Sequence, residues 1–93
     1  MLHLAICDDN RRTLDYLAGE AVRWAETGGE KCSLELYDSA DAFLFAWEEK
    51  KDTDILLLDI EMPGTDGMAL ARRLKQLGNP VNIIFVTGNP EFA

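Results

Sequence analysis

DILLLDIEMPGTDG, at residues 54–67, is the stretch of sequence that decides the fold. After Asp54 come four consecutive apolar residues, Ile55 to Leu58, which do not alternate with polar ones. Such a run predicts a strand covered on both faces, as in a parallel sheet between two layers of helices. The strand ends in a lone carboxylate, Asp59, and a Pro-Gly turn follows shortly after. Because open α/β sheets bind ligands at such carboxyl ends, Asp59 is a candidate functional residue; the alternative is that it only satisfies nearby backbone groups.

Strand and helix patterns alternate along the rest of the chain. Two short strand patterns precede the central strand and a β-branched, aromatic run follows it, while apolar residues recur at helical spacing between them. Such an order forms a parallel sheet through right-handed crossovers. We therefore predict an α/β fold with helices on both faces of the sheet. The predicted strands are residues 2–7, 32–37, 54–59 and 81–86, and the predicted helices run from 10 to about 27, from 40 to about 47 and from 67 to 77. The apolar stripes of these helices, which are expected to face inward, include Trp24 in the first, Phe43 and Trp47 in the second and Leu77 in the third.

Capping residues mark the ends of the predicted helices. Asp38-Ser39 and Asp66 are predicted to supply N-caps, whose side-chain oxygens accept hydrogen bonds from the first helical turn. Gly28-Gly29 and Gly78 are typical of helix C-termini, because glycine tolerates a left-handed backbone. Gly19 lies inside the first predicted helix, where it costs roughly 1 kcal/mol of helix propensity. Close packing against a neighbouring element would explain its presence there.

Length and charge restrict the class of protein. The chain has 93 residues, of which 47% are hydrophobic, so residues 1–93 are predicted to form one small domain. The formal net charge of -8 disfavours direct binding to nucleic acid, because phosphate backbones require clusters of lysine and arginine. The sequence contains no apolar run of membrane-spanning length and no leader pattern. We expect a cytoplasmic protein that does not interact with membranes.

The cysteines and the single histidine carry no predicted chemistry. Cys7 falls near the end of the first strand and Cys32 near the start of the second. If these strands are parallel neighbours, the thiols lie on the order of 15 Å apart, beyond the reach of a disulfide. Both are therefore expected to be reduced. His3 lies in the first strand without an evident partner, and we assign it no catalytic role.

Three carboxylates are predicted to converge at one edge of the sheet. In the flavodoxin-like strand order 2-1-3-4, the first and third strands are neighbours, and the ligand crevice lies between them. The first strand is followed by Asp8 and Asp9, so these residues would meet Asp59. Clustered carboxylates repel one another unless a cation neutralises them, and an oxygen-only cluster suits Mg²⁺. The alternative interpretation is three solvated acids at strand ends.

A hydroxyl group follows the fourth predicted strand. Thr87 would be placed beside the third strand, where it could donate a hydrogen bond to an oxygen held on Asp59. Taken alone, Thr-Gly at a strand end more often forms a turn. Phosphoryl transfer to a carboxylate requires in-line access, a metal ion and hydrogen-bond donors to the remaining oxygens. Asp59, a Mg²⁺ site and Thr87 supply most of these requirements.

These motifs together resemble the receiver domain of two-component response regulators. The resemblance rests on Asp8-Asp9, residues 54–59, Met62-Pro63-Gly64, Asp66-Gly67 and Thr87-Gly88.

The resemblance implies a role for each residue of the site. It makes Asp59 the phosphoacceptor, with a sensor histidine kinase as the phosphoryl donor. Asp8 and Asp9 become ligands of Mg²⁺ together with Asp59 and the backbone carbonyl of Glu61, and Thr87 becomes the switch hydroxyl. A receiver is a phosphoacceptor signalling domain rather than an enzyme, with at most self-phosphorylation and autodephosphorylation chemistry.

The resemblance also has a boundary. The run at residues 87–93 is similar to receivers that precede LytTR-type DNA-binding domains in transcription regulation, but no output domain is present in this sequence. Receivers continue through a fourth helix, a fifth strand bearing a lysine and a fifth helix, and the sequence ends before these elements. The fourth strand, at residues 81–86, would be a hydrophobic edge, which predicts a homodimer built around that strand and residues 89–93. The alternative is a marginally stable monomer in which residues 89–93 fold back over the edge.

Two other functions remain as alternatives. An aspartate-nucleophile phosphohydrolase also uses a strand-end aspartate and Mg²⁺, but such enzymes carry Asp-x-Asp where this chain has Asp59-Ile60-Glu61. The other alternative is a binding or assembly module that pairs with another chain through the exposed edge at residues 81–86.

Overall fold

Seven elements alternate along the chain in the computed structural model. The structure describes residues 1–50, 52–60, 62, 66–78 and 81–86, and the statements below concern these residues. The elements are β1 (Leu2–Cys7), α1 (Arg11–Gly28), β2 (Cys32–Tyr37), α2 (Ala40–Glu49), β3 (Ile55–Asp59), α3 (Gly67–Gln76) and β4 (Asn82–Val86). The predicted alternation of strands and helices is confirmed.

The four strands form one parallel sheet in the order β2-β1-β3-β4. This is the strand order predicted for a flavodoxin-like fold. In the register of β1 against β3, Cys7 pairs with Leu58. In the register of β3 against β4, Asp59 pairs with Val86. The carboxyl ends of the three strands therefore lie at one edge of the sheet, where the predicted site residues of β1 and β3 are found.

The helix ends follow the capping residues. The side chains of Ser39 and Asp66 accept hydrogen bonds from the backbone of Ala42 and Ala69, which confirms both predicted N-caps. Gly29 adopts a left-handed conformation with φ 69 after the last residue of α1. The packing explanation for Gly19 is wrong, because a Cβ atom added there would meet no atom within 4 Å.

The main hydrophobic core lies between the sheet and the layer formed by α2 and α3. Phe43 and Trp47 of α2 stack with ring centroids 6.0 Å apart, and Phe43 also meets Tyr37 in an edge-on contact. These rings follow the apolar stripe predicted for the second helix. Leu77, predicted to face inward, is instead exposed at the C-terminal end of α3. The buried residues of this core are Ala5, Cys7, Ala40, Phe43, Trp47, Leu56, Leu58, Met62, Leu70 and Leu74.

The opposite face of the sheet is only partly covered. The main contacts of α1 with the sheet are made to β1 and β2, and a groove of about 260 Å³ lies beside it over β3 and β4. Trp24, predicted to belong to an inward stripe, is 55% exposed at the wall of this groove, and Ile84 is 51% exposed at its other side. The groove is lined by Leu4, Leu17, Glu20, Ala21, Trp24, Ile55, Leu57 and Ile84.

The prediction that residues 55–58 are covered on both faces is correct for one face only. Leu56 and Leu58 are fully buried on the side of α2 and α3, whereas Ile55 and Leu57 are half-buried on the side of the groove. The continuous apolar run specifies a strand whose two faces both favour burial. Within the described residues, α1 alone packs on the second face, and it lies over the other pair of strands.

The two cysteines lie at opposite ends of the β1–β2 pair. Cys7 pairs with Tyr37 and Cys32 pairs with Leu2, so the thiols are separated by five strand residues, or on the order of 16 Å. Both cysteines are free, as predicted.

The expectation that His3 has no partner is wrong. Its Nδ1 lies 3.0 Å from Ser33 Oγ and 3.9 Å from the carboxylate of Asp52, and its backbone N–H donates to Asp54. These partners are more than 29 positions away in sequence, so no local pattern shows them. The contacts join β1 to β2 and to the start of β3.

Candidate functional site

The site is built from the residues that end β1 and β3. Asp59 is the last residue of β3, and Asp8 and Asp9 follow the last residue of β1. Since Cys7 pairs with Leu58, Asp8 and Asp59 lie at the same level of adjacent strands. One carboxylate oxygen from each of Asp8, Asp9 and Asp59 lies within 4.8 Å of the other two. The predicted convergence of these side chains is confirmed.

The three carboxylates differ in exposure. Asp8 is 5% exposed, whereas Asp9 is exposed and Asp59 is half-buried. The Oδ1 atom of Asp8 accepts a hydrogen bond of 2.9 Å from the backbone N–H of Asn10, and the Asp8 N–H donates to the carbonyl of Tyr37. The cluster therefore has one carboxylate that is fixed by the backbone and two that solvent can reach.

Because Asp8 is buried, its ionisation costs more free energy than ionisation of an exposed carboxylate. Desolvation raises the pKa of Asp8 above its ordinary value, and the negative charge of Asp9 raises it further. The hydrogen bonds from Asn10 and with Asp59 act in the opposite direction without cancelling the effect. The metal-free site is thus poorly neutralised, which is the condition under which a bound cation is stabilising.

The negative charges of the site also affect the thiol of Cys7, which lies beneath it. Burial raises the pKa of Cys7 to about 12, and the charges of Asp8, Asp38, Asp59 and Asp9 contribute in the same direction. Its Sγ lies 3.8 Å from the Sδ atom of Met62 in the buried core. Cys7 is therefore a protonated thiol that packs in the core beneath the site, and it is not a metal ligand.

A glycine holds α3 directly against the end of β3. The N–H of Gly67 donates to the carbonyl of Ile60 over 3.1 Å. A Cβ atom at this position would lie 2.1 Å from the backbone oxygen of Asp59 and 2.9 Å from its carbonyl carbon. Real Cβ atoms do not approach backbone so closely, so a side chain here would force α3 and Asp59 apart. Gly67 thus positions the backbone of Asp59.

The chemistry of the cluster fits Mg²⁺. Mg²⁺ prefers oxygen ligands and usually retains several waters, so it requires only a few protein carboxylates. Asp8, Asp9 and Asp59 supply oxygen atoms within a span small enough for one ion, and Asp9 and Asp59 leave one side open to solvent. The residues present are therefore suited to a partly hydrated Mg²⁺.

Two predicted site residues lie outside the described residues. These are Glu61, whose backbone carbonyl was expected to bind the metal, and Thr87, the expected switch hydroxyl. Val86, the residue before Thr87, ends β4 and pairs with Asp59. The roles of Glu61 and Thr87 remain predictions.

One family of known proteins accounts for the sheet order and the acidic edge. The family model of the response regulator receiver domain matches residues 4–92. The chain belongs to this family. It is the receiver domain of a two-component response regulator, which is a signalling domain, and receivers of this family interact with histidine kinases.

The receiver domain is similar along its whole length to two proteins of Bacillus subtilis (strain 168). It is 34% identical over 95 residues to the transcriptional regulatory protein NatR, and 32% identical over 93 residues to the sensory transduction protein LytT. Both alignments cover 100% of this chain, but the chain spans only 38% of NatR and 36% of LytT. The similarity therefore concerns little more than a third of each of these longer proteins.

Solved receiver structures have the same architecture. The crystal structure of a response regulator receiver domain protein from Clostridium thermocellum superimposes with a TM-score of 0.80 and 20% sequence identity. The match covers 99% of this chain and 69% of the other. At this identity the likeness establishes the fold of the receiver and nothing further about its site. Within the described residues, no helix has the length and apolar character that crossing a bilayer requires.

Proposed function

We propose that this receiver accepts a phosphoryl group on Asp59 from a sensor histidine kinase, with Mg²⁺ held by Asp8, Asp9 and Asp59. The observation that carries the proposal is the convergence of the three carboxylate oxygens within 4.8 Å, with Asp8 buried among them. Family membership supports the same assignment.

The chain's own residues have distinct tasks in this reaction. A carboxylate oxygen of Asp59 attacks phosphorus as the bond between phosphorus and the kinase histidine nitrogen breaks, which leaves an acyl phosphate. Asp8, fixed by the Asn10 N–H, holds its position while Asp59 is modified. Gly67 allows α3 to approach and fix the backbone of Asp59. When bound, Mg²⁺ supplies positive charge that offsets the charge on the transferred group.

The family resemblance adds two residues to this proposal. The backbone carbonyl of Glu61 completes the protein ligands of Mg²⁺, and the hydroxyl of Thr87 donates to an oxygen of the phosphoryl group. Support for Thr87 comes from its place directly after Val86, which pairs with Asp59.

The proposal also includes the cellular location of the receiver and the process that it regulates. We place it in the cytoplasm and in transcription regulation, because NatR is a transcriptional regulatory protein and matches this chain throughout. The match to LytT supports the LytTR-type subfamily. The acidic surface supports a receiver that does not itself contact nucleic acid.

Labelling with acetyl phosphate and Mg²⁺ tests the proposal without the kinase. We expect intact mass to increase by one phosphoryl group, and peptide mapping to place it on Asp59. Asp59→Asn should abolish the labelling. Asp66→Asn is the matched control, because it changes a nearby exposed carboxylate but preserves an N-cap residue type. A label on Asp66, or equal labelling of Asp59→Asn, would refute the assignment.

The exposed edge favours a second function, homodimerisation. Within the described chain, β4 pairs only with β3, so its other edge has free backbone groups. Ile84 and Phe85 are exposed on its two faces. A strand of this kind favours pairing with another chain, so we propose a homodimer through β4, with sedimentation as its test.

A further inference from the structure

Met62 is buried although it lies in the connection between β3 and α3. It is 8% exposed and belongs to the main hydrophobic core with Cys7 and Leu58. Connecting segments normally run over the surface, because their backbone groups need water or other partners. The other described residues of this connection, Ile60 and Asp66, are half-buried and exposed. Met62 is therefore the point at which the described part of the connection enters the core.

The Met62 side chain contacts the end of β1. Cys7 Sγ lies 3.8 Å from Met62 Sδ, and the thiol donates to the thioether sulfur, which is a weak acceptor. Burial raises the pKa of Cys7 to about 12, so the thiol keeps its proton at neutral pH. The contact thus joins two segments that are 55 positions apart in sequence.

Each of the two contacting residues adjoins a residue of the metal site. Cys7 is followed by Asp8, a carboxylate of the cluster. Met62 is preceded by Glu61, whose backbone carbonyl is assigned to Mg²⁺ in the proposed function. The sulfur contact therefore connects the segment that carries Asp8 to the segment that carries Glu61.

Glu61 has a fixed neighbour on each side. The carbonyl of Ile60 accepts a hydrogen bond of 3.1 Å from the N–H of Gly67, and Met62 is held in the core. Consecutive Cα atoms are about 3.8 Å apart, so a residue between two fixed neighbours has little freedom of position. Glu61 itself lies outside the described residues, and these contacts act on it only through the chain.

We propose that Met62 is a positioning residue of the metal site: its side chain, packed against Cys7, holds the backbone carbonyl of Glu61 where that carbonyl can bind the ion. The inference rests on the proposed function. Mg²⁺ demands near-ideal octahedral geometry, so a displaced carbonyl weakens binding even when every carboxylate is present.

Binding of Mn²⁺ measures this role without phosphorylation. Mn²⁺ also prefers oxygen ligands, and electron paramagnetic resonance measures the free ion in solution. We expect Met62→Ala to weaken Mn²⁺ binding at least fivefold, because the side chain that holds the segment is removed. Met62→Leu keeps a buried side chain of similar volume and should bind Mn²⁺ within twofold of wild type.

A second core truncation separates positioning from a general loss of stability. Leu74 is 1% exposed in the same core, but it lies about two helical turns beyond Gly67 on α3. Leu74→Ala should destabilise the fold and leave Mn²⁺ affinity within twofold of wild type. Circular dichroism identifies a temperature at which the variants are folded. If Met62→Ala does not fold, Met62→Val replaces it and should weaken binding at least twofold.

A double-mutant cycle tests the contact between the two sulfur atoms. Cys7→Ala should weaken Mn²⁺ binding at least twofold in the wild-type background. The same change should have less effect in the Met62→Ala background, because the partner side chain is already absent.

Three results would overturn the inference while the wild type binds Mn²⁺. They are equal affinity of Met62→Ala and wild type, equal weakening by Leu74→Ala and Met62→Ala, and additive effects of Cys7→Ala and Met62→Ala. A wild type that binds no Mn²⁺, or that binds it no better than Asp9→Ala does, would instead refute the metal site of the proposed function and this inference with it. The two failures are therefore distinguishable.

Discussion

At the scale of single residues, adjacent aspartates have unequal roles. Asp8 is buried and has a raised pKa, whereas its neighbour Asp9 is exposed. A group whose pKa is higher in the folded than in the unfolded state stabilises the fold below its unfolded pKa. That stabilisation is lost as the pH rises through the folded pKa. Ionised Asp8 therefore lowers the stability of the metal-free receiver at neutral pH.

Neutralising Asp8 should stabilise the metal-free protein. We expect Asp8→Asn to raise the thermal midpoint at pH 7 by several degrees, because the amide oxygen retains the acceptor for the Asn10 N–H without the buried charge. The advantage over wild type should shrink as the pH falls and Asp8 itself becomes protonated. Thermal melts from pH 7 to pH 4 measure this. Asp9→Asn, at an exposed position, should have a smaller effect; a midpoint below wild type for Asp8→Asn would contradict the argument.

Mg²⁺ should make the wild type more stable than Asp8→Asn, which is the reverse of the order expected without metal. A ligand that binds only the folded state stabilises it by on the order of 1.4 kcal/mol at ten times its Kd. We expect this gain in urea melts of the wild type and its loss in Asp9→Ala and Asp8→Asn. Asp41→Ala, which removes a carboxylate on α2, is the control. An unchanged response in Asp9→Ala would remove Asp9 from the metal site.

At the scale of elements, the contact between α3 and β3 fixes the end of the strand that carries Asp59. Gly67 at the start of α3 leaves no room for a side chain, whereas Gly19 in α1 faces open space. The same substitution at these positions should therefore act in opposite directions.

Two glycine-to-alanine variants test this difference. Gly67→Ala should cost about 1–3 kcal/mol of stability through overpacking and should also slow the labelling of Asp59. Gly19→Ala should add about 0.5–1 kcal/mol, because alanine favours the helix and the site is empty. Urea melts and acetyl phosphate labelling measure both effects. Equal stability of Gly67→Ala and wild type would show that the close approach is not maintained in solution.

Sequence patterns predicted the helices and strands well, because the formation of these elements depends on local chemistry. The periodicity of residues 11–28 and the caps Ser39 and Asp66 each act within a few residues. Convergence of Asp8 and Asp59 followed from strand order alone. The close approach of Gly67 to Asp59 depends on how α3 packs, and the contacts of His3 span more than 29 positions, so neither has a local signal.

A local sequence pattern also does not show whether another element covers a given face of the sheet. Apolar patterns indicated that Trp24 and Ile84 favour burial, but they did not show which element would cover them; the structure places both at the same groove. The buried side of β3 was predicted correctly because α2 and α3 supply the second layer. The groove side of β3 is only half-buried. An apolar pattern therefore indicates that a face favours burial, but the face is buried only if another surface packs against it.

At the scale of the whole molecule, the edge at β4 should drive association. We expect sedimentation to show a monomer that converts to a dimer as concentration rises. The dimer should become more favourable with salt, because the chain carries a net charge of -8. Ile84→Lys should weaken it at least tenfold. Phe45→Lys, at an exposed apolar residue of α2, is the matched control and should not.

Circular dichroism of both lysine variants shows whether the fold is retained. A strictly monomeric wild type at all concentrations, with slow amide exchange in residues 83–86, would contradict the dimer. In that case another part of the same chain protects the edge.

The groove over β3 and β4 has a thermodynamic consequence. Unfolding raises the heat capacity by about 12–15 cal/mol/K per residue in ordinary domains, mainly because apolar surface becomes hydrated. Here Trp24, Ile55, Leu57 and Ile84 are already in partial contact with water before unfolding. The folded receiver therefore starts with part of that hydration in place, and its heat-capacity increment should fall below the ordinary range. Anything that covers the groove should bind with a negative heat-capacity change, whatever the sign of its enthalpy at room temperature.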